Sequence, residues 1–241
     1  IPDGKKGVED PGSPIYLDEN IISQPAAALQ LVAKEIFRMS DQVRDILKKT
    51  IELVKNEEVK SIDGLKENGE QVERLGKCIT EYLAALFSSG SLTEQQAAQT
   101  ASLMCVLSDV ERMGTLSVEM AECMLERSDR KYKYTPEAMD ELQKSLKVLN
   151  KMFCDSLKAL QGDDGIEPGK MMKRKDKLLD LDIKMRKAHI ERVNKGKCKA
   201  SLTAPFTNIL HLIDRMGNSC INLADVAENG TSMKYFMLEE K

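Results

Sequence analysis

At 241 residues the chain is long enough to bury a substantial core, and a formal charge of −3 gives it no overall attraction to nucleic acid. Aromatic residues make up only 4%, Trp is absent, and Leu, Met, Ala, Glu and Lys are abundant, a composition suited to helices rather than sheets. No run approaches the roughly 18 consecutive apolar residues of a membrane span, and no secretory signal opens the chain.

The charge is unevenly placed. Residues 170–199 hold twelve Lys or Arg against four Asp or Glu, so this stretch carries +8 and the remainder −11. The six cysteines, Cys78, Cys105, Cys123, Cys154, Cys198 and Cys220, stand singly with no CxxC pair. That spacing predicts buried free thiols in a reducing compartment, hence the cytoplasm.

Residues 1–24 contain Pro2, Gly4, Gly7, Pro11 and Gly12 and lack helical periodicity, so they read as an extended leader or linker. The opening residue, Ile1 rather than Met, suggests a processed terminus or, the favoured reading, a piece of a larger protein. From Pro25, apolar residues recur at spacings of three and four (Ala28, Val32, Ile36, Met39, Val43, Ile46), predicting a first amphipathic helix. Gly64 and Gly69 weaken a second helix, with Leu75, Cys78, Tyr82 and Leu86 as its apolar positions; it should stop at Ser88-Ser89-Gly90. Thr93 and the following Glu94, Gln95 and Gln96 start a third helix running to about residue 127.

Thr135-Pro136-Glu137 supplies a cap and a proline for the first turn of a fourth helix, which carries Met139, Leu142, Leu146, Leu149, Phe153 and Leu157 to a break at Gln161-Gly162. A fifth helix runs from Pro168 to about Asn194, where Gly196 interrupts, and a sixth spans roughly 200–228.

These six helices form two sets of three. A shift of 103 residues places Leu107, Glu111-Arg112-Met113-Gly114 and Ala121-Glu122 on Leu210, Asp214-Arg215-Met216-Gly217 and Ala224-Asp225. The same shift carries Ile36, Met39, Val43 and Ile46 onto Met139, Leu142, Leu146 and Leu149, and Leu75, Cys78 and Tyr82 onto Leu178, Leu181 and Met185. One spacing across three helices and two loops indicates an internal duplication. The expected fold is all-α, two tandem three-helix bundles, with units at 25–131 and 132–230 and a tail at 231–241.

Each third helix carries a glycine in its interior, Gly114 or Gly217, where it costs about 1 kcal/mol relative to Ala. Close packing over the missing Cβ is the plain explanation, and a ligand site using the neighbouring acid is the other. Glu111, Thr115, Glu119 and Glu122 share one helix stripe; Asp214, Asn218, Asn222 and Asp225 share its counterpart. Such oxygen-rich stripes suit either a solvated face or a hard cation.

The segment Asp109-Val110-Glu111-Arg112-Met113-Gly114, with Met120-Ala121-Glu122 downstream, resembles the signature helix of PhoU proteins, and the second copy from Ile213 to Asp225 is similar. That resemblance covers nearly all of 25–228 and implies two tandem three-helix bundles with a regulatory role in phosphate transport and no catalysis. It also implies metal binding on the bundle surface, by iron, zinc or another divalent cation, with Asp109, Glu111, Glu122, Asp214 and Asp225 as ligands. The chain departs from the family pattern at Thr115 and Asn218, which stand where closing acids are expected, and at Leu212, which aligns with Asp109. Loss of a carboxylate from each site should weaken cation binding.

Pro14-Ile15-Tyr16-Leu17-Asp18-Glu19, followed by Pro25-Ala26-Ala27-Ala28-Leu29, resembles the junction at which bacterial sodium/phosphate cotransporter-like proteins pass into a PhoU-like tail. This implies a domain of an integral membrane protein, on the cytoplasmic side, contacting its own transporter or a phosphate-signalling protein. A free-standing metal-binding adaptor between a phosphate importer and a sensor kinase is the alternative. The basic stretch 170–199 adds an expected contact with anionic headgroups of the inner leaflet, or with an acidic partner, and a homodimer would let two copies share a cation site. His189 and His211 lie near no nucleophile or ligand pattern and no phosphate-binding glycine loop is present, so no enzyme chemistry is expected.

Overall fold

The computed structural model describes residues 10–55, 61–128, 133–162 and 168–228; the tail expected at 231–241 lies outside the described residues. Among the described residues six α-helices form, in chain order: α1 (Pro25–Lys55), α2 (Asp63–Ser88), α3 (Glu94–Ser128), α4 (Pro136–Leu160), α5 (Pro168–Asn194) and α6 (Thr203–Glu228). Short 3-10 turns, Glu19–Ile21 and Ala200–Leu202, precede α1 and α6. Among the described residues there is no strand, and no helix is long and apolar enough to cross a membrane.

Local chemistry accounts for the helix ends. Thr93 and Gln96 cap α3 reciprocally: the Gln96 amide N–H donates to Thr93 Oγ1 at 3.3 Å, and the Thr93 N–H donates to Gln96 Oε1 at 3.0 Å. Thr135 Oγ1 accepts from the Ala138 N–H at 3.3 Å with Pro136 in the first turn of α4. Gly162 after α4 and Gly196 after α5 take φ of +82° and +69°, left-handed conformations that side chains disfavour. Gly64 and Gly69 leave α2 unbroken.

The helices make two tandem three-helix bundles, α1–α3 and α4–α6, joined where α3 meets α6 and α1 meets α4. Their apolar stripes merge into one continuous core in which Phe153, Phe206, Leu29, Ile36 and Met39 are fully buried. Met113, Met120, Met185 and Met216 all lie inside it. The repeat is also chemically asymmetric within that core. Thr50 of α1 donates to the Ser117 carbonyl of α3 at 3.0 Å, whereas its counterpart Phe153 fills space. All six cysteines are free, but only Cys198 and Cys220 are buried; Cys105 is exposed and the other three are half-buried.

The leader differs from the extended linker expected of it. Its described part, residues 10–24, lies over the first bundle, pinned by the fully buried carboxylate of Glu35. Glu35 Oε2 accepts from the Ile15 N–H at 2.9 Å and the Tyr16 N–H at 2.7 Å, while Oε1 accepts from Arg38. Arg38 in turn donates to the carbonyls of Pro11 and Ser13 at 3.2 and 2.6 Å, and Tyr82 Oη donates to the Asp18 carbonyl at 2.8 Å. Buried charges persist where they are paired and hydrogen-bonded in this way. The physical reason a proline- and glycine-rich segment docks is therefore a set of backbone groups satisfied by α1 and α2.

Candidate functional site: the two acidic helix stripes

The two duplicated third helices, α3 and α6, pack antiparallel along the seam between the bundles. Asn222 Nδ2 donates to Asp109 Oδ1 at 3.2 Å, Arg215 lies 3.7 Å from Glu119, and Asn208 Nδ2 reaches Cys123 Sγ at 3.1 Å. Between them, Ser117 Oγ stands 3.7 Å from Met216 Sδ. The interior glycines serve close packing within each bundle. A Cβ on Gly114 would meet Val43 Cγ2 at 3.3 Å and Val72 Cγ1 at 3.5 Å; one on Gly217 would meet Leu178 Cδ1 at 3.1 Å and Lys175 Nζ at 3.3 Å.

In the first bundle the stripe faces α2 across a cleft of about 280 Å³ lined by Lys66, Glu70, Glu73, Thr115, Glu119 and Glu122. Glu111 sits at one end with its carboxyl over Gly76, so close that a Cβ there would meet Glu111 Oε2 at 3.3 Å. Burial, and then the neighbouring Glu73, push the Glu111 carboxyl above the ordinary glutamate range. Thr115 turns inward on its own helix, donating to the Glu111 carbonyl at 3.2 Å. Glu122, at the other end, is held by Lys66 at 2.9 Å. Its carboxylate in turn raises the Lys66 ammonium.

The second bundle answers the same positions differently. Lys175 of α5, aligned by the repeat with Val72, lies 2.6 Å from Asp214 Oδ1 and also donates to the Asp214 carbonyl at 3.0 Å. Leu179 stands where the first bundle has Gly76. Asp225, the counterpart of Glu122, is exposed near the end of α6.

The five acids expected as ligands are therefore dispersed. Asp109 is on the seam with Asn222, Glu111 is over Gly76, Glu122 and Asp214 face lysines, and Asp225 is at the surface. Among the described residues no three His, Cys, Asp or Glu side chains gather to hold an ion. Lysine ammonium groups occupy the cationic places beside Glu122 and Asp214, so the donor set does not fit a divalent ion as it stands. The histidines play other parts. His189 is buried, stacked on Phe206 at 4.6 Å with Nε2 3.1 Å from Thr203 Oγ1; burial and then Arg192 lower its pKa.

The residues that organise these surfaces were not the ones singled out by the acidic motif. Glu35, Lys66 and Lys175 each hold an interhelix or leader contact. Glu35 had a signal: it occupies a position on the apolar stripe of α1, between Val32 and Met39, where a solvated glutamate has no place. Lys175 had one too, since the repeat aligns it with an apolar residue.

The first of the two duplicated third helices, with its acid, arginine and glycine, falls within a match to a known domain. Residues 36–124 match the PhoU domain. The chain is also similar, at 24% identity over 209 residues, to the phosphate-specific transport system accessory protein PhoU homolog 1 of Thermotoga maritima. That alignment spans 86% of this chain and 88% of the relative. The PhoU match runs from within α1 through most of α3.

Proposed function

We propose that this chain is a PhoU-like regulatory module that modulates phosphate uptake by contact with a transporter or a phosphate-signalling protein. The observation that carries this reading is the coincidence of the PhoU match with similarity along most of the length of a phosphate-transport accessory protein. The six-helix architecture is compatible with it, because long exposed helix faces suit contact with a partner.

In the finer form of the proposal, the module is the cytoplasmic C-terminal region of a sodium/phosphate cotransporter-like membrane protein and acts on its own transporter. Support comes from the sequence at Pro14–Glu19 and Pro25–Leu29, and from the way residues 10–24 are fixed to the first bundle, which would fix the direction from which any preceding segment approaches. A second reading, a free-standing accessory protein, is favoured by the Thermotoga maritima relative, of which 88% aligns with this chain.

Deleting the coding region for this chain in its host, with transporter abundance checked by immunoblot, tests the function common to both. Phosphate uptake should change when external phosphate is shifted from scarce to abundant. An uptake response identical to that of the parent would remove the reading. The upstream reading frame separates the two forms: several apolar spans in continuous frame select the cotransporter tail, and a start codon just before Ile1 selects the accessory protein.

A further inference from the structure

Helix α5 bears an apolar stripe that no other described residue covers. Its inner side, with Met171, Leu178, Met185 and His189, is buried against α4 and α6. Yet Met172, Leu179, Ile183 and Ile190 are exposed by 53%, 52%, 56% and 57%, and they are four of the seven large hydrophobic residues so exposed among the described residues. Their spacings of seven, four and seven return to one line on a helix of 3.6 residues per turn. The four side chains therefore fall within an arc of about 40° and run for about 27 Å along the axis.

Charge lies beside that line. Lys173, Lys177, Lys184 and Lys187 are exposed and follow the stripe at about 60° to 140° around the helix, with the exposed acids Asp176, Asp180 and Glu191 interspersed at about 40° to 100°. None of these four lysines is ion-paired among the described residues, whereas Arg174, Lys175, Arg186 and Arg192 are tied to Asp155, Asp214, Asp182 and Glu141. The helix as a whole carries nine Lys or Arg against four Asp or Glu, and Lys195, Lys197 and Lys199 extend the positive charge past its end. In α2 the equivalents of the four lysines are Glu70, Arg74, Glu81 and Ala84, and those of the apolar stripe are Gly69, Gly76, Thr80 and Phe87. The combination belongs to α5 and is not a by-product of the duplicated fold.

We propose that the outer face of α5 is a binding surface for an anionic lipid bilayer, with Met172, Leu179, Ile183 and Ile190 entering the headgroup region and the four lysines meeting lipid phosphates and carboxylates. A single straight row of apolar side chains with lysines beside it is the arrangement by which a helix lies in a membrane interface. Charge complementarity selects this occupant. Helix α5 carries a net +5 within a chain of net charge −3, so an anionic plane favours this side over the acidic remainder, which orients the molecule. The inference goes beyond phosphate regulation, because it holds whatever transporter lies in that membrane.

Flotation of the purified chain with vesicles of phosphatidylcholine plus phosphatidylserine, against phosphatidylcholine alone, tests it. Binding to the anionic vesicles should be at least about tenfold tighter, and should fall with added salt as surface charges are screened. Reversal of Lys173, Lys177, Lys184 and Lys187 to Glu should cost at least about tenfold, since each lysine near the surface contributes about fivefold. Leu179→Ser with Ile183→Ser should weaken binding at unchanged net charge. All six positions are exposed, so both variants should keep the wild-type circular dichroism spectrum. Equal binding to both vesicle types, no binding to either, or binding untouched by both variants would overturn the proposal. So would sedimentation showing a lipid-free dimer that the Leu179→Ser, Ile183→Ser variant dissociates, which would give the stripe to a second copy.

Discussion

The first bundle is closed over its duplicated scaffold and the second is left open. In α1–α3 a buried Glu35 straps the leader to the helices, Gly76 lets Glu111 settle against α2, and α2 itself is mildly acidic. In α4–α6 the counterpart of Glu35 is the buried Ala138, the counterpart of Gly76 is the exposed Leu179, and α5 is basic. Duplication kept the apolar stripes that hold each bundle together and freed the remaining faces to diverge. Shared packing and separate surfaces are compatible because burial constrains the inner positions far more tightly than solvent constrains the outer ones.

Breaking the strap should have the largest effect. Glu35→Ala leaves two backbone N–H groups and Arg38 without their common acceptor, and should lower the unfolding free energy by about 3 kcal/mol, read from denaturant titration. Limited proteolysis should then cut within residues 10–24. If stability falls by less than about 0.5 kcal/mol and the leader stays protected, Glu35 is not what closes the first bundle.

The interior glycines sharpen the comparison with opposite signs. At Gly114 a new methyl would press on Val43 and Val72, two stiff branched side chains in the buried core, so Gly114→Ala should lose about 1 kcal/mol or more. At Gly217 the obstructing atoms are the far ends of two flexible side chains, Leu178 and Lys175, which can yield more readily than two valines even though Lys175 is paired with Asp214. Gly217→Ala should therefore be neutral or gain up to about 1 kcal/mol from helix propensity. Equal losses in a thermal melt of both variants would show that the two bundles are packed alike at this point.

A smaller difference concerns Glu111. Burial and Glu73 raise its folded-state pKa, so its ionised form opposes folding. That opposition is full above the raised pKa and disappears as pH falls below the unfolded value. Glu111→Gln should accordingly be more stable than the parent at neutral pH, by less than about 1 kcal/mol because the group is partly solvated. The advantage should close as pH is lowered towards the ordinary glutamate range. A difference that stayed constant with pH would point to a steric cause instead.

Metal content should differ least. With lysines beside Glu122 and Asp214, protein purified without chelator should carry no stoichiometric iron or zinc, and Glu111→Ala with Asp214→Ala should leave that unchanged. Elemental analysis showing about one ion per chain, lost in the double variant, would restore the acidic stripes as metal sites.

Much of the fold was legible because helices declare themselves through period and punctuation. Thr135-Pro136 begins α4 and Gly196 follows α5 where those residues predict, and one offset of 103 relates the halves in the sequence itself. The surfaces were less legible. Glu111 and Asp214 look equivalent in sequence, and only the helix packed opposite reveals that one faces a glycine and the other a lysine. Proline and glycine in the leader signal irregular backbone, which says nothing of whether α1 supplies acceptors for it. The charge of 170–199 was plain from composition, but its organisation beside a second apolar stripe required knowing which side of α5 the bundle buries.

The central comparison, a first bundle closed by its leader and a second whose α5 face is open to a membrane, can be carried to function by measuring phosphate uptake in cells with matched surface reversals. One strain would carry Lys173, Lys177, Lys184 and Lys187 changed to Glu; the other would carry Glu67, Glu70, Glu73 and Glu81 of α2 changed to Lys. The account predicts that the α5 reversal alters uptake as deletion of the chain does, and that the α2 reversal leaves it at the parental rate. An effect from α2 alone, or from neither, would contradict it.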